Sequence, residues 1–255
     1  MHNIEAIPAF SDNYIWCMHD GENAIVVDPG DAAPVNAMLK NKGLQLKAVL
    51  ITHHHHDHTG GIAELSASWP TLQVFGPDNN RIRGITHKLV EGDSLNIKYP
   101  SVKLKVMEIP GHTMDHIGYF NDELIFCGDT LFSAGCGRMF EGTPELFHAS
   151  LQKIANLAGD TKVYCTHEYT QANVDFALHI TPHNKALKEY AKWVAGTRSS
   201  GQITLPSTIK VQKDINPFLR CDDEQTRKSI ESIMNLSATK PVEVFAALRA
   251  CKDNF

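Results

Sequence analysis

The stretch Thr52-His53-His54-His55-His56-Asp57-His58 most narrows what this chain can fold into and do. It follows the apolar run Ala48-Val49-Leu50-Ile51 and leads into Thr59-Gly60-Gly61, the pattern of a strand that ends, turns tightly and starts a helix. In extended backbone alternate side chains share a face, so His53 and His55 aim at one point. Asp57 and His58, adjacent at a helix start, splay apart and grip a second point from different sides. Imidazole and carboxylate are ligands that zinc and similar first-row ions accept. A histidine tract with chance metal affinity is the plain alternative, and the position of this run inside a strand-to-helix junction speaks against it. His54 and His56, on the other parity, are expected to face solvent or to support the ligands from outside.

Three further segments have the same architecture, an apolar run ending in a potential ligand. Residues 106–111 end at His112, 124–128 at Asp129, and 163–166 at His167. Each alone is unremarkable, because a lone histidine after a strand is usually structural. Ligands delivered from strand ends onto one sheet edge can converge. With the run they make a set of His53, His55, Asp57, His58, His112, Asp129 and His167, too many for one tetrahedral ion. Two divalent ions per chain are therefore expected, with Asp129 as the carboxylate able to bridge them. Zinc is the first choice, and the same ligands suit iron or manganese.

The remaining sequence frames this set. Up to about Cys165, short β-rich runs (13–20, 23–30, 47–53, 72–77, 103–111, 116–122, 123–130 and 162–169) mix with helical patterns at 33–41, 61–69 and 143–157. The last helix opens Thr143-Pro144-Glu145, a capping hydroxyl, a first-turn proline and an acid. After about Thr166 strands are expected to stop, and helices follow at 171–179, 183–196, 222–234 and 241–252, with a Gly/Ser/Thr-rich loop at 196–208. That order predicts an α/β layered domain, residues 1–165, carrying the metal site, and a smaller all-helical domain, residues 166–255.

A formal charge of -5 suggests neither whole-chain nucleic-acid binding nor attraction to a membrane surface. No apolar run approaches the roughly 20 residues of a spanning helix, and residues 1–14 lack a secretory pattern. The 6 cysteines show no CxxC pairing, which fits reduced thiols in a cytoplasmic protein better than a disulfide framework. The chain is expected to act as a monomer on a small-molecule substrate.

These residues resemble the metallo-β-lactamase superfamily and, within it, glyoxalase II, the hydroxyacylglutathione hydrolases. The likeness rests on Ser11-Asp12-Asn13-Tyr14, Asp28-Pro29-Gly30, residues 52–61, Gly111-His112-Thr113, Gly128-Asp129-Thr130, Gly135-Cys136-Gly137-Arg138, Thr166-His167-Glu168-Tyr169, Asn216-Pro217-Phe218 and residues 249–252. The resemblance implies a four-layer αββα sandwich with a helical carboxy-terminal domain. It assigns one metal to His53, His55 and His112 and the other to Asp57, His58 and His167, with Asp129 and a water or hydroxide bridging. It gives Asp28, otherwise a turn residue, the task of orienting the metal loop; His116 reads as structural.

A water between two such ions ionises near pH 7 and hydrolyses a polarised carbonyl, with Asp57 and Asp129 holding the catalytic centre. The implied substrate is a glutathione thioester, typically S-D-lactoylglutathione, and the reaction belongs to methylglyoxal detoxification. Arg249 and Lys252, three apart on the last helix, share one face; by spacing they could be a solvated pair, and by resemblance they clamp glutathione. The resemblance adds Arg138, where the family often has lysine, Phe140, where some members have tyrosine, and Tyr169 as substrate contacts. Rival readings are a lactamase, phosphodiesterase or nuclease on the same framework, a persulfide-oxidising relative, and a non-catalytic metal-binding protein.

Overall fold

The computed structural model describes residues 3–255; Met1 and His2, the start of the expected 1–165 domain, lie outside the described residues. The chain forms two compact units, one running up to Glu108 and taking in Asp115–Gly128, the other made of Ile109–Met114 and Asp129–Phe255.

The first unit opens with β1 (Asn3–Ala9), β2 (Asn13–His19) and β3 (Asn23–Val27), paired antiparallel in that order. Helix α1 (Ala32–Lys42) crosses to β4 (Gln45–Leu50), which lies parallel to β3. The short α2 (His56–Thr59) and α3 (Ile62–Ser68) lead to β5 (Gln73–Pro77) and β6 (His87–Leu89), which extend the parallel part. Strands β2 and β3 are buried along their whole length. Burial on both faces explains why they read as unbroken apolar runs rather than as alternation.

An antiparallel set follows, β7 (Ser94–Ile97), β8 (Val102–Glu108), β9 (Ile117–Phe120) and β10 (Leu124–Gly128), each paired with the next. In β8, Val102, Leu104 and Val106 are buried while Lys103 and Lys105 are exposed, so one face of this set is solvated. Tyr119 of β9 ties it to the first sheet, its hydroxyl donating to the Ile51 carbonyl at 2.7 Å. Complete burial holds that phenol well above its ordinary pKa, so it remains a donor.

The second unit contains a hairpin of β11 (Leu131–Phe132) and β12 (Gly135–Cys136), then α4 (Pro144–Ala155) and β13 (Lys162–Cys165). Beyond these lie α5 (Thr170–Ile180), α6 (Lys185–Ser199), β14 (Ser207–Thr208), α7 (Ile209–Ile215), a 3-10 turn (Pro217–Leu219), α8 (Glu224–Met234) and α9 (Pro241–Asp253). Helix α4 starts as its sequence predicts, with Thr143 capping the Leu146 N–H and proline in the first turn. Its Phe147 meets Phe245 of α9, and Phe218 meets Phe176 and Phe245, at ring separations of 5.6 to 6.0 Å.

Two expectations are corrected here. Strands do not stop at Thr166, because β14 pairs antiparallel with β13. The loop expected at 196–208 is shorter, since α6 runs to Ser199 and a helix not expected from periodicity, α7, begins at Ile209. The cause is local: Thr208 caps α7 through the Val211 N–H, so its hydroxyl starts a helix rather than filling a loop. Among the described residues, no helix is long and apolar enough to cross a membrane.

Candidate functional site

In the first unit, β4 runs on through Ile51 and Thr52 into the histidines. The backbone is still extended at His55 (φ -60°, ψ 147°) and turns helical at His56. His53 and His55 therefore point the same way, with Nε2 of the first 3.1 Å from Nδ1 of the second. One turn on, Nε2 of His58 lies 3.4 Å from Oδ2 of Asp57. Ligand atoms about 2.0–2.1 Å from one tetrahedral ion lie roughly 3.3 Å from each other. Both pairs have the spacing that a divalent ion needs.

Asp28, at the end of β3, locks this arm. It accepts from the backbone N–H and the hydroxyl of Thr52, each at 2.8 Å, and its Oδ2 is 3.0 Å from Nδ1 of His58. It does so from a left-handed backbone (φ 53°), a conformation aspartate adopts more readily than most residues. Because Thr52 gives its proton to Asp28, its oxygen accepts from Nδ1 of His53 at 3.1 Å. The lone pair of His53 is thereby left on Nε2, the atom facing His55. Asn13 donates to Asp57 at 3.0 Å, and the buried His116 stacks on His53 at 4.6 Å. Of the off-parity pair, His56 is exposed, while the half-buried His54 meets Asp115 at 2.8 Å. Asn79 in turn donates to Asp115 at 2.6 Å.

In the second unit, Asp129 is the residue after β10, and its Oδ2 lies 3.5 Å from Nε2 of His112 and 3.3 Å from Nε2 of His167. These separations repeat the metal-ligand spacing of the first unit. Nδ1 of His112 donates to the Arg138 carbonyl at 2.7 Å. A carbonyl can only accept, so the proton of His112 is on Nδ1 and its lone pair on Nε2. The ring of His167 lies flat on Tyr169, with centroids 4.7 Å and planes 2° apart. Gly137 fits where no side chain could, since a Cβ there would come within 2.0 Å of the Asp129 carbonyl oxygen.

The loop between β11 and β12 is held by buried amides. Gln212 accepts from the Ala134 N–H at 2.8 Å, Asn173 donates to the Ser133 carbonyl at 3.1 Å, and Asn216 donates to the carbonyls of Phe132 and Gly135 at 3.2 and 2.9 Å. Asn216 of the Asn-Pro-Phe motif thus acts as a brace for the chain just past Asp129. Residue type and periodicity gave no role to Asn13, Thr52, Asn79, Asp115, Asn173 or Gln212. Asn13 and Asn216 at least stand inside motifs of the resemblance; Asn79 and Asp115 carry no such signal.

The expected substrate contacts divide by exposure. Phe140 and Tyr169 are 59% and 39% exposed, and the Arg138 side chain is 58% exposed. Lys252 is half-buried, its Nζ donating to the Ala172 carbonyl at 3.2 Å and lying 5.0 Å from the Phe176 ring centre. Desolvation, and then the neighbouring Arg249, lower its pKa below that of an ordinary lysine. The alternative of a solvated pair does not hold at Arg249, which is 5% exposed. Its Nη1 donates to the carbonyls of Cys136 and Gly137 at 3.1 and 3.2 Å, and its Nη2 to Asp253 at 2.9 Å. The shared face is the one α9 turns inward, alongside Phe245 and Leu248. Burial also pushes the Cys136 thiol, 3.6 Å from Arg249, up to about 11.

A family model described as Metallo-beta-lactamase superfamily matches residues 10–167, and one described as Hydroxyacylglutathione hydrolase C-terminus matches residues 168–255. The hydroxyacylglutathione hydrolase of Aliivibrio salmonicida is 49% identical over 253 residues, 99% of each chain. That of Cupriavidus taiwanensis is 48% identical over 266 residues, covering all of both chains. The chain belongs to the hydroxyacylglutathione hydrolase family. Its fold is the αββα metallo-β-lactamase fold with the helical carboxy-terminal region of that family. The same fold is seen in ETHE1 from Myxococcus xanthus, at a TM-score of 0.65 and 24% identity, over 99% of each chain. Imidazoles and carboxylates at ligand spacing on this fold mark a site for divalent metal.

Proposed function

We propose that this chain hydrolyses S-(2-hydroxyacyl)glutathione, typically S-D-lactoylglutathione, to glutathione and D-lactate in methylglyoxal detoxification. Residues 1–165, with His167 just beyond them, carry the chemistry, and residues 166–255 bind the substrate together with Arg138 and Phe140. One divalent ion is assigned to His53, His55 and His112, the other to Asp57, His58 and His167, with Asp129 shared; zinc is the first choice, then iron or manganese. The support is family membership along the whole chain, together with the ligand-atom separations of 3.1 to 3.5 Å within each unit.

Two bound divalent ions supply a water ionised near neutral pH and polarise the scissile carbonyl. The protein's own contribution is to aim the ligands. Asp28 and Thr52 hold the proton of His53 on Nδ1, and the Arg138 carbonyl does the same for His112. Neither ring needs to change tautomer to bind. Water adds to the thioester carbonyl, the carbon–sulfur bond breaks, and the thiol, of pKa about 8.5, can leave as thiolate without a proton donor. Arg138 and Lys252 offer cations to the two carboxylates of glutathione, while Tyr169, stacked on His167, and Phe140, edge-on to His112, provide exposed rings. The chain works as a cytoplasmic monomer.

The test is turnover by metal-loaded protein of three substrates: a glutathione thioester, a β-lactam and a phosphodiester. Hydrolysis of the thioester with little action on the others is expected. Turnover of another substrate alone, or retained metal with no turnover, would overturn the proposal.

A further inference from the structure

Arg249 is a buried cation with nothing in the hydrolytic chemistry to occupy it directly. A guanidinium withdrawn from water is costly unless its donors are satisfied. Here the partners are specific: Nη1 forks onto the successive carbonyls of Cys136 and Gly137, at 3.1 and 3.2 Å, and Nη2 pairs with Asp253 at 2.9 Å. The guanidinium carbon lies 5.3 Å from the centre of the Phe218 ring, which seals that side.

Two consecutive carbonyls turned toward one donor fix two consecutive peptide planes. The next carbonyl along the chain is that of Arg138, which receives the Nδ1 proton of His112 at 2.7 Å. Gly137 has no side chain to fix its own backbone, since a Cβ there would collide with the Asp129 carbonyl oxygen, so the direction of this segment has to be held by contacts from outside it. Asp253 adds a second tie, since Oδ1 faces Nε of Arg138 at 3.4 Å as well as Nη2 of Arg249. The last turn of α9 therefore grips the 136–138 segment from both its backbone and its side chain.

We infer that Arg249 is a positioning residue: by gripping the carbonyls of Cys136 and Gly137 it holds the Arg138 carbonyl where it sets the tautomer and aim of His112. This rests on the proposal that His112 ligates metal. It gives the carboxy-terminal helix a part in metal binding besides any in glutathione recognition. A lysine keeps the charge but lacks the planar fork that spans two carbonyls and a carboxylate together.

The experiment compares wild type, Arg249→Lys and Lys252→Ala as full-length, cobalt-loaded proteins. The measurements are chelator competition for the metal, the visible cobalt spectrum, the melting temperature, and kcat and KM on a glutathione thioester and on a small thioester without the tripeptide. Loss of a residue orienting a metal ligand typically costs about 10–100-fold in affinity or activity. Arg249→Lys should sit near the tenfold end, with weaker metal retention, an altered cobalt spectrum and lower kcat on both substrates. Lys252→Ala should leave the spectrum unchanged and raise KM on the glutathione thioester alone.

Arg249→Lys that raises only that KM, with metal retention and spectrum as in wild type, would overturn the inference in favour of direct contact with glutathione. A lowered melting temperature with unchanged spectrum and kinetics would overturn it in favour of a plain structural role. Should Arg249→Lys fail to fold, Asp253→Asn loosens the same grip and should move spectrum and metal retention in the same direction; no movement would count against the inference. Wild type that neither retains metal nor hydrolyses the thioester would instead defeat the proposed function itself.

Discussion

The two sets of ligands are organised in opposite ways. In the first unit His53, His55, Asp57 and His58 lie within six consecutive residues, so one strand end and one helical turn set their spacing. In the second unit His112, Asp129 and His167 follow three separate strands, and their geometry depends on what braces each strand end. The first set is aimed by backbone periodicity and secured by one buried carboxylate, Asp28. The second is aimed by the Arg138 carbonyl at His112, the Tyr169 ring at His167 and a close-packed glycine at Asp129. Short-range geometry is robust to changes elsewhere, whereas geometry assembled over long range can be undone from a distance.

The strongest test removes the carboxylate of the scattered set. Asp129→Ala should lower kcat/KM by more than the about 100-fold that loss of an orienting partner costs, and should reduce bound metal below two ions per chain, read by elemental analysis. Fully active Asp129→Ala protein, or active wild type with only one ion, would break the binuclear reading. Next comes the anchor of the contiguous set. Asp28→Ala strips Thr52 of two charge-assisted bonds, each worth about 1.5–3 kcal/mol, so it should lower the melting temperature clearly and weaken metal binding by roughly 10–100-fold.

Gly137→Ala probes the long-range set with the smallest side chain available. Its Cβ would fall 2.0 Å from the Asp129 carbonyl oxygen, and forced repacking should cost about 1–3 kcal/mol of stability, together with metal affinity. Alanine tolerated at 137, by thermal melting and metal content, would show that the glycine is incidental. Smaller still is the parity test. His54→Ala releases a tether to Asp115 worth about 1 kcal/mol and should cost a few-fold in activity, while His56→Ala, at an exposed position, should be silent. Equal losses at 53, 54, 55 and 56 would mean that the run acts as a generic histidine tract.

The smallest effect is in pH. The folded pKa of Lys252 is lowered, first by desolvation and then by Arg249. As pH rises, its cation should be lost earlier than an exposed lysine's, and KM for the glutathione thioester should climb in that window, a slope that Lys252→Ala removes. Between the folded and unfolded pKa values the unfolded chain holds more protons, so this group's contribution to stability rises with pH there. A KM that stays flat through the alkaline range would show that Lys252 does not contact the substrate.

The sequence shows β2, β3, β4, β5, β8, β9, β10 and β13 and every helix of 11 residues or more, because period and capping are local signals: residues 143–157 announce α4 through Thr143 and Pro144 before any contact is known. It does not show β1, the short β6, β7, β11, β12 and β14, or α7, whose starting residue Thr208 reads as loop. The candidate ligands were legible for the same reason, each standing just past an apolar run. What stayed hidden were partners distant in sequence. Asp115 meets His54 from 61 positions away. The Arg138 carbonyl meets His112 from 26 positions away.

The sequence alone determined the chemistry of the set: which residues can ligate, that four of them must lie together, and that alternate histidines share a side, since extended backbone permits nothing else. Tertiary structure alone decided which ring nitrogen is left to bind, because a tautomer depends on the acceptor that folding brings to the other nitrogen. It also decided the orientation of α9. Spacing shows that Arg249 and Lys252 share a face, and only packing against Phe218 and the Cys136 and Gly137 carbonyls turns that face inward. Periodicity fixes the angles between side chains on one element, but the direction in which the element faces is a property of what it packs against.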